Sequence, residues 1–200
     1  MSAATPDAYF DTIYADDDPF GYRERWYEAR KRALLLASLP AKRFGRVWEI
    51  GCSNGELTAE LATRCDRLLA TDLSARAVAL ATGRTRMHAH VDVQQARHPD
   101  TWPEGRFDLI VFSEVGYYLD ADTLTHMARR LTASLQGDGV LVACHWLAPF
   151  AQAPLSGGDV HRLLRRALGL QRVFGYADAD IRLDGFAVDA TSVAQRAGLR

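Results

Sequence analysis

Cysteine is scarce: the 200 residues hold only Cys52, Cys65 and Cys144, with neither a C-x-x-C pair nor a dense framework. An odd, scattered set of thiols excludes a disulfide scaffold and points to a reducing compartment. Long apolar runs are missing too, none approaching the ~18 residues that span a bilayer. The opening stretch MSAATPDAYFDTIYADDDPFG lacks the basic region and continuous apolar core of a signal peptide, so the cytoplasm is the expected location. Charge of one sign is absent as well. With 24 Lys+Arg against 25 Asp+Glu the formal net charge is -1, which gives no general attraction for nucleic acid or an anionic membrane. What remains, 48% hydrophobic and 24% charged residues without repeats or low-complexity tracts, is the composition of a soluble globular domain. A chain of 200 residues is one such domain.

Residues 1–20, with two prolines, the run Asp16-Asp17-Asp18 and several aromatics, read as an irregular arm whose Phe10, Tyr14 and Phe20 could dock on the body. From Tyr22 to Leu39 apolar residues recur at helical spacing until Pro40 blocks continuation. After Arg46 short strands and helices alternate, the signature of a parallel α/β fold. Strands are expected at Val47–Ile50, Arg67–Thr71, Met87–Val93, Phe107–Ser113 and Gly139–His145, then a closing pair at Gln171–Ala177 and Leu183–Val188. Helices are expected at Glu56–Arg64, from an N-cap at Ser74 through Ala81, at Asp122–Leu135, at Asp159–Leu168, and beginning at Ser192.

The segment VWEIGCSNGELTAEL packs a strand, a glycine turn and a helix into fifteen residues, which lets backbone N–H groups meet a ligand at the carboxyl end of the sheet. No Gly-Lys-Ser/Thr follows, so a triphosphate loop is disfavoured. The turn is not G-x-G-x-x-G, and Glu49 beside it would repel a pyrophosphate while welcoming a cation. GCSNG formally matches the hydrolase G-x-S-x-G elbow, but only 46 mostly helical residues precede its strand. Asp72, twenty-one residues beyond Gly51, can accept both hydroxyls of a ribose. Asp92, read as closing the third strand, could accept from an adenine amino group. Three acids at successive strand tips fit a nucleoside that carries positive charge, as S-adenosyl-L-methionine does.

The ordered set of the Glu49-x-Gly51-x-x-x-Gly55 turn, Asp72, Asp92, FDLIVFSEVGYYL and LQGDGVLV resembles the class I S-adenosylmethionine-dependent methyltransferases over about residues 44–146. The stretches DPFGYRERWYEARKRALLLASLP, EIGCSNGELTAELATRCDRLLATDLS, WPEGRFDLIVFSEVGYYL and CHW are similar to the nodulation N-methyltransferase (NodS-like) family. The resemblance implies a Rossmann-like, doubly wound, mostly parallel seven-stranded sheet with helices on both faces. Residues 1–43 would form an arm and helical cap, 44–146 the cofactor core, and 147–200 an acceptor-side helix with closing strands. It implies S-adenosyl-L-methionine as cofactor, with Glu49, Gly51 and Gly55 around its methionine part, Asp72 and Leu73 at the ribose, and Asp92 with Val93 at the adenine. Trp26, Tyr27, Arg30 and Lys31 would be lid residues, Arg30 or Lys31 meeting the methionine carboxylate. Ser53 departs from the family's commoner middle glycine.

On the acceptor side, Glu114 could hold an ammonium, Tyr118 rather than Tyr117 is expected to face the cleft, and His145 is expected there as proton acceptor. His161 is a weaker candidate, expected half exposed. His88, His90 and His98 lack metal-ligand spacing, and no metal is expected. The implied activity is methyl transfer to a small molecule, N-methylation of an amine or amino-sugar-like metabolite. The alternatives are O-methylation, an oxidoreductase, or a cofactor-fold protein that binds without turnover.

Overall fold

The computed structural model describes residues 4–200; the first three residues of the expected arm lie outside the described part. The arm is not irregular throughout. Asp7–Ile13 forms helix α1, and α2 runs Trp26–Ser38, ending before Pro40. The core then alternates β1 (Phe44–Ile50), α3 (Glu56–Ala62), β2 (Cys65–Asp72), α4 (Ala75–Thr85), β3 (Val91–Gln95), β4 (Phe107–Ser113), α5 (Ala121–Ala133), β5 (Leu135–Trp146) and α6 (Gly157–Ala167). β6 (Gln171–Ala177), β7 (Ile181–Ala187) and α7 (Val193–Arg196) complete the chain. Ser74 caps α4 as expected, its side chain accepting from the Ala77 amide.

The seven strands lie in the order β3-β2-β1-β4-β5-β7-β6. β1 to β5 pair in parallel and β7 alone is reversed, antiparallel to both β5 and β6. Alternation along β1 divides the molecule into layers. Trp48 and Ile50 point into a core with Leu124, Met127 and Leu131 of α5 and Val160 and Leu164 of α6. Val47 points into the opposite core, with Leu35 of α2 and Leu61 of α3. The order reverses between β1 and β4, and the crevice beyond the strands' carboxyl ends at such a switch point is where α/β sheets take ligands.

Two strand boundaries differ from expectation in ways that matter for the site. β3 begins at Val91, because Met87 is 82% exposed and supplies nothing to bury. It runs on through Gln94 and Gln95, which register with Thr71 and Asp72. β5 continues through Trp146, so alternation places His145 on the α6 side, in line with Leu141 and Ala143.

Candidate active site

A cavity of about 570 Å³ opens at the switch point, bounded by the β1, β2 and β4 tips and roofed by α1, the loop after it and α2. A narrower recess of about 40 Å³, lined by Glu49, shares Lys31, Gly51, Ser53 and Glu114 with it. The glycine turn is shaped by three positive φ values: Gly51 (+77°), Ser53 (+50°) and Gly55 (+81°). A Cβ on Gly51 would strike the Val115 side chain on the far wall of the crevice. Gly55 has a different use from the one expected: it starts α3, lies off the cavity lining, and a Cβ there would sit 2.8 Å from Ala81 Cα. It is a close-packing position between α3 and α4.

Ser53 holds its left-handed conformation with help from two neighbours. Its amide donates to Asp72 Oδ2 at 2.9 Å, and its hydroxyl accepts from Tyr14 Oη at 2.8 Å. The Ser74 amide donates to Asp72 Oδ1 at 2.9 Å. Burial pushes the Asp72 carboxyl upward and these backbone amides oppose it. Both Asp72 and Leu73 line the cavity.

Glu49 lies 3% exposed in the recess, and one of its oxygens, Oε2, has no hydrogen-bond partner among the described residues. Burial lifts this carboxyl to about 8, the Thr58 hydroxyl opposing it and the Asp72 charge adding to it. An unpartnered buried carboxylate is costly unless a donor or cation reaches it. The adjoining cavity is the side from which a ligand ammonium could do so.

Asp92 and Val93 require correction. With β3 running to Gln95, Asp92 registers with Leu69 three positions short of Asp72, is exposed, and accepts from Gln94 Nε2 at 2.6 Å. Val93 packs on Cys52, Ala70 and Ala81. Neither lines the cavity; Ala96, Arg97 and His98 do so at the end of β3.

Arg30 is also turned elsewhere. Its guanidinium donates to Tyr176 Oη and Asp178 Oδ2, each at 2.7 Å, tying α2 to the β6–β7 hairpin. Trp26 is 78% exposed, whereas Tyr27 and Lys31 line the cavity. Lys31, 5% exposed, lies 2.8 Å from Glu28 Oε2 and 3.5 Å from Glu114 Oε1. The two acids outnumber the one cation. Burial is the main force on Glu28 and raises its carboxyl, against the pull of Lys31.

Glu114 itself sits at φ +59°, uncommon for a residue with a side chain. It accepts from Tyr117 Oη and, through Oε1, from the Trp146 amide at 3.0 Å. Tyr117 and Tyr118, in the short 3-10 turn Gly116–Tyr118, both border the cavity. Tyr118 packs against Phe10 and Phe150.

His145 is not in the cleft. It is fully buried, and its Nε2 accepts from the Gly116 amide at 3.1 Å. Burial first, then His161 and Lys31, hold its pKa well below the usual histidine value, which removes it as a proton acceptor for an outside substrate. His161 is likewise fully buried, not half exposed. Among the cavity residues that the sequence does not reveal are Glu28, Asp180 and the Ala96–His98 end. Glu28 lies one helical turn before Lys31, a spacing that could have flagged the pair. Among the described residues no group of three metal-ligating side chains gathers, and no helix is long and apolar enough to cross a membrane.

The strand order, the single reversed strand and a cavity at the β1/β4 switch point define a class I methyltransferase fold. The sequence model of the nodulation protein S (NodS) family matches residues 8–145; the chain belongs to that family. It is 36% identical to nodulation protein S of Rhizobium tropici over 111 residues, covering 52% of this chain and 44% of that protein. It is 31% identical to nodulation protein S of Sinorhizobium fredii over 132 residues, covering 64% of this chain and 60% of that protein. The matched part thus spans about half the length of these curated relatives. Among solved structures, N-methyltransferase NodS from Bradyrhizobium japonicum WM9 in complex with S-adenosyl-L-homocysteine superposes with a TM-score of 0.81 at 26% identity, covering 90% of this chain and 96% of that one. A Pseudomonas syringae crystal structure is 48% identical, with a TM-score of 0.73 and coverage of 81% and 99%.

Proposed function

We propose that this protein is an S-adenosyl-L-methionine-dependent N-methyltransferase acting on a small amine or amino-sugar-like metabolite. The observation that carries the reading is the buried Glu49 carboxyl, whose Oε2 has no hydrogen-bond partner among the described residues, in a recess that shares Gly51 and Ser53 with the cavity lined by Asp72. An α-ammonium at one end and a ribose diol at the other suit this pair. Asp72 already receives the Ser53 and Ser74 amides, so its orientation is fixed before any ligand arrives. Leu73 and the Ala96–His98 segment would flank the adenosyl part, and Lys31 is our candidate for the methionine carboxylate.

Bound, the cofactor supplies a methyl group on a sulfonium, already a good leaving group. The chain's task is to orient the acceptor, exclude water and receive a proton. N-methylation leaves positive charge on the acceptor nitrogen, and the two carboxylates of Glu28 and Glu114 against one Lys31 stabilise it. Glu28, raised by burial, is better matched than a surface carboxylate to take the proton. Aromatic rings of Tyr27, Tyr117, Tyr118, Trp146 and Phe150 border the cavity, where they keep water out and favour a cation. These placements support a division into cap (1–43), cofactor core (44–146) and acceptor side (147–200). Three free, buried thiols suit the cytoplasm.

Calorimetry with S-adenosyl-L-homocysteine, followed by mass spectrometry of methyl transfer to a panel of primary amines and amino sugars, tests the reading. No binding at millimolar ligand removes it. Binding with transfer only to hydroxyl acceptors replaces N- by O-methylation, and binding with transfer to no acceptor leaves a binding protein.

A further inference from the structure

Four groups from four parts of the fold form one buried chain. The Gly116 amide, just beyond β4, meets His145 Nε2 of β5 at 3.1 Å. His145 Nδ1 lies 3.2 Å from His161 Nε2 of α6. His161 Nδ1 lies 2.7 Å from Asp184 Oδ2 of β7. His145, His161 and Asp184 are each 0% exposed.

The proton positions along this chain are determined from its ends. A backbone amide only donates, so His145 Nε2 accepts and its hydrogen resides on Nδ1. That hydrogen is donated to His161 Nε2, which leaves the His161 hydrogen on Nδ1, facing the Asp184 carboxylate. Every link then has one donor and one acceptor, and both imidazoles are neutral. Asp184 is held ionised at the far end: burial opposes this, but His161, Arg172 and Arg182 hold its carboxyl far below the ordinary range. The fit around the chain is close. A Cβ on Gly116 would come 3.0 Å from His145 Nε2 and collide with Val160, and one on Gly157 would strike the Trp146 carbonyl.

The near end is where the chain acquires a function. Gly116 opens the 3-10 turn that carries Tyr117 and Tyr118 into the cavity, and two residues earlier Glu114 stands at φ +59°. The geometry points to Asp184, His161 and His145 as a proton-ordered relay of positioning residues that fixes the Gly116–Tyr118 turn, and with it the Glu114–Tyr117 wall at the acceptor end of the cavity. The hold on the turn is independent of the reaction; calling that wall the acceptor end rests on the proposed function.

Two measurements on the full chain test the relay. In ¹⁵N-histidine spectra of the wild type, both His145 and His161 are expected as the Nδ1–H tautomer, the minor form of free histidine; an Nε2–H signal for either overturns the assignment. In His145→Phe, which keeps the bulk and removes both hydrogen bonds, amide exchange at Gly116–Leu119 is expected to accelerate at least tenfold. His145→Gln, which can place an acceptor near the Nε2 position, is expected to restore most of the protection. Equal protection in all three proteins, or a loss spread evenly over the sheet in both variants, shows that the histidines only fill space. S-adenosyl-L-homocysteine calorimetry on the same samples judges the proposed function separately: a wild type that does not bind it fails that reading while the exchange data still decide the relay.

Discussion

Tyr14 donates its phenolic hydrogen to Ser53 Oγ at 2.8 Å, across 39 residues of sequence, and so fastens the end of α1 to the glycine turn. The Ser53 hydroxyl gives the arm a partner that glycine could not. The same residue's amide holds Asp72. One residue therefore couples the roof of the cavity to Asp72.

Removing that coupling is expected to weaken the cofactor site without unfolding the sheet. A buried neutral hydrogen bond contributes about 0.5–1.5 kcal/mol net, so Tyr14→Phe should bind S-adenosyl-L-homocysteine roughly threefold to tenfold more weakly by calorimetry. Ser53→Gly should show a similar loss. The double variant should lose no more than either single change, because both remove the same bond. Additive losses would mean that the two residues act apart.

Glu49 makes a sharper prediction because its carboxyl is lifted to about 8. At pH 7 the free protein holds a proton there, and pairing with a ligand ammonium lowers the pKa and expels it. Binding of S-adenosyl-L-homocysteine at pH 7 should thus release close to one proton, read as a dependence of the binding enthalpy on buffer ionisation heat. Glu49→Gln should abolish the release and weaken binding at least tenfold. In the free protein the sign reverses for stability. The folded state binds a proton between the ordinary carboxylate pKa and about 8 that the unfolded chain does not, so this group's contribution worsens as pH rises through that window. Glu49→Gln should therefore raise stability more at pH 9 than at pH 5, measured by urea unfolding.

Asp72 and Asp92 give a matched pair of variants. Asp72→Asn keeps the shape but loses the charge that the Ser53 and Ser74 amides orient. It should cost S-adenosyl-L-homocysteine affinity at least tenfold. Asp92→Asn alters an exposed side chain that accepts from Gln94, and should change affinity by less than twofold. A large effect at Asp92 would require β3 to end earlier than it does here.

The contrast between those two acids shows what could be read from sequence. Glu49 and Asp72 lie in the last two residues of β1 and β2, whose carboxyl-terminal ends are buried, so their placement is legible. The third strand, Val91–Gln95, has an exposed and polar outer part, and nothing in its pattern told that Gln94 and Gln95 would extend the ladder. His145 failed for a related reason. The run GVLVACHW located the strand, but whether His145 or Trp146 faces the cleft depends on where alternation stops. The strand includes both, and the histidine falls on the α6 side. Arg30 lies on a helix that periodicity locates, yet its partner, Asp178, lies 148 residues away on the closing hairpin. The arm's aromatics carried the suggestion of docking, and Phe10, Tyr14 and Phe20 all line the cavity.

The histidine pair also sets a pH dependence. Burial holds both His145 and His161 below their unfolded values, with Asp184 opposing it only at His161. Lys31 disfavours charge on His145, and Arg165 and Arg182 disfavour it on His161. Above the unfolded pKa of about 6.5 neither state is charged and the pair contributes no slope. Below it the unfolded chain takes up protons that the folded chain refuses, so stability falls as the solution becomes more acid. Each histidine that stays neutral when folded adds about 1.4 kcal/mol per pH unit to that slope. The depressed carboxylates Asp159, Asp178 and Asp184 titrate at lower pH, and Glu49 acts with the opposite sign in both proteins compared. Between pH 6 and 5, His145→Gln should flatten the stability profile by about 1.4 kcal/mol per pH unit relative to wild type. Parallel profiles would mean that His145 takes up a proton in the folded state, which the Gly116 amide at its Nε2 does not permit while that bond is made.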